Sequence, residues 1–352
     1  MTGIAVALIG YGYAGKTFHA PLIAATPGLE LTLVASGDAA KVGAGLPAVE
    51  VVGDPMRAIA DARTELVVIA TPNASHATLV RAALRAGKHV VVDKPFTLHL
   101  SEARELAALA AGSERLLSVF HNRRWDSDYL GVKQAIEQGT IGEVVHFESH
   151  FDRFRPEVRA RWREQDLPGS GIWYDLGPHL VDQALQLFGV PERVIASLAT
   201  QRERGQASDW AHVLLEYGER RVILHAGMLV AGGATRFTVH GVRGSLVKRN
   251  ADRQEAQLLA GMRPGAPGWG EDDDDLQFYD GSAPARPLPV PAGDQRRYYA
   301  GIRDALLGVA ANPVTPAQAV AVMAVLEAAS ESAQRGCAVS PPLTEAERGA
   351  LR

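Results

Sequence analysis

Short, unbroken apolar runs alternate with longer amphipathic segments through the first third of the chain. The runs IAVALIG, LTLVAS, LVVIA, HVVVD and LLSVF have the texture of strands buried on both faces of a parallel sheet. Between them lie alanine-rich stretches such as HATLVRAALRAG and SEARELAALAAG, whose apolar positions recur at helical spacing. Strand, helix, strand in repetition predicts a doubly wound α/β domain over residues 1–121. After His121 the rhythm changes. EVVHFESHF, AHVLLEY and RVILHAGMLV are longer and partly alternating, and GERR between the last two predicts a hairpin connection. Residues 122–352 are therefore expected to form a second domain, mostly antiparallel β with a few helices. Helices are expected near 295–309 and 316–333. The proline- and glycine-rich stretch 263–291 contains EDDDD at 271–275; with no histidine or ordered spacing beside it, it is read as a solvated loop and no metal is assigned to it.

Composition narrows the function classes. The length of 352 residues suits about two domains, and 47% hydrophobic with 22% charged residues is the balance of a soluble globular protein. A net charge of −4 provides no global basic field for nucleic acid or anionic lipid. The single cysteine, Cys337, excludes an internal disulfide framework and fits a reducing compartment. The opening MTGIAVALIG lacks the basic segment of a signal peptide, and no apolar stretch approaches the ~20 residues of a membrane span. A cytoplasmic protein with a small-molecule partner is expected.

The first candidate chemistry is LIGYGYAGKTFH, which places Gly10, Gly12 and Gly15 in G-x-G-x-x-G spacing. The pattern alone is weak, but here it follows the first predicted strand and opens a helix, the context of a dinucleotide site. Gly10 would make the tight turn, Gly12 would let the backbone approach a pyrophosphate, and Gly15 would let the helix pack closely. The intervening Tyr11, Tyr13 and Ala14 belong to the same candidate surface. Thr71, Pro72 and Asn73 follow the run LVVIA, at the strand end where an open parallel sheet keeps its ligands, with His76 one turn on. Asn73 serves equally well as a helix cap.

VVDKPF raises the second candidate: a buried strand ends by presenting Lys94 on the edge that carries the glycine turn. In the second domain, GSGIWYDLGPHLVDQALQLFG sets Asp175 and His179 four apart, on one face of a helix. Hydride transfer suits this trio. A histidine can take the hydroxyl proton while hydride leaves the carbon, an ammonium stabilises the developing alkoxide, and a carboxylate tunes the histidine. No zinc is required, and no cysteine cluster exists to bind one.

With GYGYAG, DKPF in place of a Glu-Lys-Pro, and GSGIWYDLGPH in hand, the chain resembles the glucose–fructose oxidoreductase/inositol dehydrogenase (Gfo/Idh/MocA) family over essentially its full length. VFHNRRWDSDYL and FESHFDRFRPEVRARWRE look like the subgroup of NADP-dependent scyllo-inositol dehydrogenases. Asp93 departs from the usual glutamate and shortens a supporting carboxylate. The resemblance implies a Rossmann domain followed by an α/β domain whose open sheet commonly builds a homodimer or higher homo-oligomer. It implies catalytic roles for Lys94 and His179, with Asp175 between substrate and histidine. It sets Asn122, Trp162 and Arg163 beside the nicotinamide, and Arg124, Asp152, Arg153 and Tyr174 near substrate hydroxyls. The implied reaction is an NAD(P)-dependent oxidation or reduction of a cyclic polyol or sugar. An NAD-dependent glycoside hydrolase and a non-catalytic dinucleotide sensor are the competing classes.

Cofactor choice turns on the end of the second strand, where an acidic residue reads the ribose of NAD. LTLVASGD puts neutral Ser36 there, with Lys41 five residues on. Asp38 is the counter-candidate for NAD, but it also suits the cap of the next helix. NADP is expected over NAD.

Overall fold

The computed structural model describes residues 3–350. Two compact units emerge, and neither is a single stretch of chain. The first comprises residues up to Asn122 together with Gln254–Trp269 and Asp294–Val320; the second holds Arg123–Arg253, Gly270–Gly293 and Ala321 onward.

The first unit is a six-stranded parallel sheet made of β1 (Ile4–Ile9), β2 (Leu29–Ala35), β3 (Glu50–Val52), β4 (Leu66–Ile69), β5 (His89–Val92) and β6 (Leu117–Val119), in the order β3-β2-β1-β4-β5-β6. Every residue of β4 is buried, as a strand covered on both faces requires. Connecting helices are α1 (Ala20–Ala24), α2 (Ala39–Gly45), α3 (Pro55–Ala60), α4 (His76–Arg85) and α5 (Leu100–Gly112). The three-residue β3 is the one strand that the apolar runs do not announce, since Glu50 is exposed and Val52 alone is buried. Strand order reverses between β1 and β4, and the crevice beyond the carboxyl ends of such a pair is where open sheets bind ligands.

Later segments complete this unit. Tyr298 and Tyr299, on the helix Arg296–Leu306, are fully buried. The Tyr299 hydroxyl lies 2.6 Å from His19 Nδ1, the Tyr298 hydroxyl donates to Ser118 Oγ at 3.0 Å, and Phe120 meets the Tyr298 ring edge-on at 4.9 Å.

The second unit is an eight-stranded sheet made of β7 (Val144–Asp152), β8 (Arg193–Ala199), β9 (Trp210–Tyr217), β10 (Arg220–Gly227), β11 (Phe237–Gly241), β12 (Gly244–Lys248), β13 (Leu276–Tyr279) and β14 (Arg286–Leu288), ordered β14-β13-β12-β11-β7-β10-β9-β8. All pairs are antiparallel except β7 with β10. The β9–β10 hairpin turns on Gly218, at a φ of 56°. Besides α6 (Ser127–Glu137), the unit contains α7 (Gly171–Phe188), which packs on β10, β9 and β7. Along β7 the buried Phe147, Ser149 and Phe151 alternate with the half-buried His146, Glu148, His150 and Asp152, so the two sets occupy opposite faces.

The acidic run departs from its expected solvated state. Asp272 and Asp274 hold the ammonium of Lys248, at 3.2 and 2.6 Å, and that lysine is fully buried at the end of β12. Ser127 Oγ donates to Asp272 at 2.7 Å, and the backbone N–H of Asn250 donates to Asp274 at 2.7 Å. A buried ammonium demands paired carboxylates, and this run supplies them.

Candidate active site

In the first unit, β1 ends at Ile9 and the chain turns at Gly10, whose φ is 96°. A side chain there is strained, and a Cβ would lie 2.6 Å from the Ala70 carbonyl oxygen. At Gly15 a Cβ would collide with the Gly10 carbonyl. Gly12 differs from both, because a Cβ there would meet nothing within 4 Å. Two glycines thus close the turn on itself while the third leaves its backbone bare to open space, and helical structure starts at Tyr13. That shape fits a pyrophosphate over exposed N–H groups. Tyr11 is buried and Tyr13 is exposed, its hydroxyl donating to Glu255 Oε1 at 2.7 Å.

Ser36 follows β2, and its Oγ accepts from the Asp38 N–H at 3.2 Å. Asp38 caps α2, accepting from the Lys41 N–H at 2.9 Å. Lys41 is exposed. After β4, Thr71 Oγ1 accepts from Ser75 at 2.7 Å, Pro72 is exposed, and Asn73 is buried.

His76 has a different place from the ligand-facing one expected of it. It is fully buried, with Nδ1 2.8 Å from the Pro95 carbonyl and Nε2 3.0 Å from the Thr71 carbonyl. A neutral ring can donate to only one of these at a time, and burial pushes its pKa down despite both carbonyls and the Asp93 charge. Its ring ties the turn after β4 to the turn after β5.

The turn after β5 carries Lys94, which is half-buried and is followed by a cis bond to Pro95. Asp93 Oδ1 accepts from the Lys94 backbone N–H at 2.8 Å, and Oδ2 faces His19 Nε2 at 3.8 Å. Burial alone would raise the Asp93 pKa, but His19, Lys94 and His76 outweigh it and hold the carboxyl at about 2. A charged carboxylate therefore holds the backbone N–H of the lysine. Asn122, after β6, is buried and donates to Gln295 Oε1 at 3.0 Å.

In the second unit, α7 opens at Gly171, whose φ is 81° and where a Cβ would press on Ser208. Asp175 lies one turn in, flanked by Arg153 Nη1 at 4.0 Å and Arg163 Nε at 3.5 Å. The Arg163 guanidinium also rests over the Trp162 ring, 4.5 Å from its centroid. His179, one turn further along the same face, is 5% exposed, with the Phe151 ring edge-on at 6.5 Å. The unit thus gathers Asp175, His179, Arg153, Arg163 and Trp162.

Three other expected substrate contacts face elsewhere. Arg124 forms a buried, two-pronged ion pair with Asp182, at 2.9 and 2.6 Å. Tyr174 reaches toward Ser330 and Glu327, with burial raising its pKa. Asp152 lies on the face of β7 opposite Phe151, beside His150 and His225.

Asp182, His19 and Gln295 were not singled out from sequence. Asp182 could have been, because it continues the helical face of Asp175 and His179 at i+7 and i+3. His19 and Gln295 act through tertiary contacts that no local spacing announces. A further ionic group, Arg202 with Asp209 at 2.8 Å and with Glu164, braces the turn Trp162–Glu164 that carries Arg163.

Comparison with known proteins fits this geometry. Residues 4–121 match the family described as oxidoreductase family, NAD-binding Rossmann fold, and residues 133–340 match its C-terminal alpha/beta domain. An uncharacterised oxidoreductase of Escherichia coli K12, YdgJ, is 55% identical over 335 residues, covering 94% of this chain and 96% of its own. The scyllo-inositol 2-dehydrogenase (NADP(+)) IolW of Bacillus subtilis 168 is 36% identical over 338 residues, covering 94% of each chain. The crystal structure of an oxidoreductase from Klebsiella pneumoniae superposes with a TM-score of 0.95 at 59% identity, covering 100% of this chain and 99% of that one.

Proposed function

We propose a reaction for a chain that belongs to the Gfo/Idh/MocA oxidoreductase family: NADP-dependent interconversion of a secondary alcohol and its ketone on a cyclic polyol or sugar. A nicotinamide cofactor follows from the NAD-binding Rossmann domain. The observation that carries the substrate class is the Asp175–His179 face of α7, with two guanidiniums beside its carboxylate. Dense donors and acceptors around one acid/base histidine suit a neutral, polyhydroxylated substrate. The name of the Bacillus subtilis relative, a scyllo-inositol dehydrogenase, supports the same class.

A nicotinamide dinucleotide held over the turn of Gly10, Gly12 and Gly15 would supply the hydride acceptor for oxidation. His179 takes the hydroxyl proton, Asp175 orients the histidine and substrate, and the Lys94 ammonium stabilises the oxygen as negative charge develops on it. NADP over NAD rests on Ser36, which is uncharged and directly follows β2, while Asp38 is engaged as the α2 cap. The test is NADPH formation at 340 nm with a panel of inositols, hexoses and their glycosides. Reduction of NADP by a cyclic polyol is the expected result. Glycoside cleavage without net reduction, or no turnover with any polyol or sugar, would overturn the reading.

A further inference from the structure

We infer that the face of the eight-stranded sheet opposite α7 holds a first-row transition-metal dication, ligated by His150, Asp152 and His225. The three residues lie on β7 and β10, neighbouring parallel strands in which His150 pairs with His225 and Asp152 with Gly227. One ligand atom from each falls within 4.8 Å of the other two. Asp152 Oδ2 is 3.3 Å from His150 Nδ1, and Asp152 Oδ1 is 3.6 Å from His225 Nε2. Bonds of ~2.1 Å in a tetrahedral shell place ligand atoms ~3.4 Å apart, close to these two histidine–aspartate separations.

The Asp152 side chain points into this cluster and is only 3% exposed. Its Oδ1 is buried and has no hydrogen-bond partner among the described residues. A buried carboxylate oxygen in that state carries a desolvation cost that a cation would offset.

The surroundings of the two rings are those that orient metal ligands. His150 turns its other nitrogen, Nε2, to Glu148 Oε2 at 3.2 Å, an arrangement in which a carboxylate holds the proton on the far side of the ring. His225 turns Nδ1 to His212 Nδ1 at 3.3 Å. When His225 is the donor in that bond, its Nε2 carries the lone pair toward Asp152. His212 is fixed in turn by stacking on Trp210, with centroids 5.9 Å apart and planes 17° off parallel.

Two imidazoles and one carboxylate select a borderline cation such as Zn(II), Co(II) or Ni(II) over Mg(II) or Ca(II), which prefer all-oxygen shells. With three protein ligands a fourth position remains for water. Such an ion would crosslink β7 to β10. It belongs to the sheet, and the hydride-transfer chemistry proposed above does not call on it.

The experiment uses the untagged full-length protein stripped with a chelator. Co(II) titration followed by visible d–d absorption, and Zn(II) calorimetry, are expected to give one ion per chain with a tetrahedral or five-coordinate spectrum. Asp152→Asn, nearly isosteric, and His225→Ala should each weaken binding at least 100-fold. Glu148→Gln should weaken it about 10- to 100-fold through His150. His240→Ala, on β11 and bonded to Ser245 outside the cluster, should bind as wild type. Circular dichroism and NADP binding establish that each variant is folded. Failure of the folded wild type to bind, or full affinity in folded Asp152→Asn, would overturn the site. So would equal weakening by His240→Ala, which would mark a diffuse histidine-rich surface.

Discussion

We propose the Lys94 ammonium as a group of the site; the residue is half-buried and follows a carboxyl whose pKa is held at about 2. Lys94→Ala is expected to lower kcat/KM by roughly 10²-fold or more with little change in thermal midpoint; wild-type turnover in the folded variant would remove the assignment. His179→Ala is expected to cost roughly 10²- to 10⁴-fold and to abolish the acid limb of the oxidation pH profile, so an acid limb that survives in this variant would point to another base. Asp93 makes a separate contribution to stability. Its folded pKa lies below its ordinary value of 3.8, so the contribution is complete above about pH 4 and is lost as pH falls toward 2. The shift corresponds to roughly 2 kcal/mol. In urea unfolding, the stability gap between wild type and Asp93→Asn should be of that size at pH 7 and should shrink between pH 4 and 2. The sequence marks Lys94, Asp175 and His179 as candidates because each sits at a strand end or at helical spacing. It did not expose His19, whose Nε2 faces Asp93 from the helix after the glycine turn, nor the burial that turns His76 inward.

Elements that carry strong local periodicity were legible: the parallel strands, the β9–β10 hairpin and the two late helices all lie where the pattern puts them. The short β3 was not, because an edge strand with one buried residue has no periodicity to read. The EDDDD run was misread for a related reason: the lysine that organises it lies more than 20 residues upstream. Within the glycine turn the three glycines have separable duties, which gives a sharp contrast. Gly12→Ala should fold normally, since its Cβ meets open space, yet lose at least ~10-fold in NADP affinity by calorimetry. Gly15→Ala must displace the Gly10 carbonyl and should lower the thermal midpoint before any ligand is added. At the β2–α2 junction, Ser36→Asp should weaken NADP far more than NAD through like-charge repulsion. A wild-type kcat/KM markedly higher with NAD than with NADP would instead make Asp38 the ribose reader.

For the whole molecule, the returns of the chain to the first unit set the order of events during synthesis. The aromatic cluster of Phe120, Tyr298 and Tyr299 is assembled from residues nearly 180 positions apart, and the first unit is complete only at Val320. At translation speeds of 5–20 residues per second, the ribosome needs roughly 10–40 s to travel from Asn122 to that point. Throughout this interval the nascent nucleotide-binding sheet shows Phe120 and Ser118 without their tyrosine partners, a natural target for chaperones that bind emerging apolar surface. A released fragment ending at residue 122 should consequently be aggregation-prone, and supplying the segment 254–320 in trans should restore solubility if that waiting surface is what drives the association.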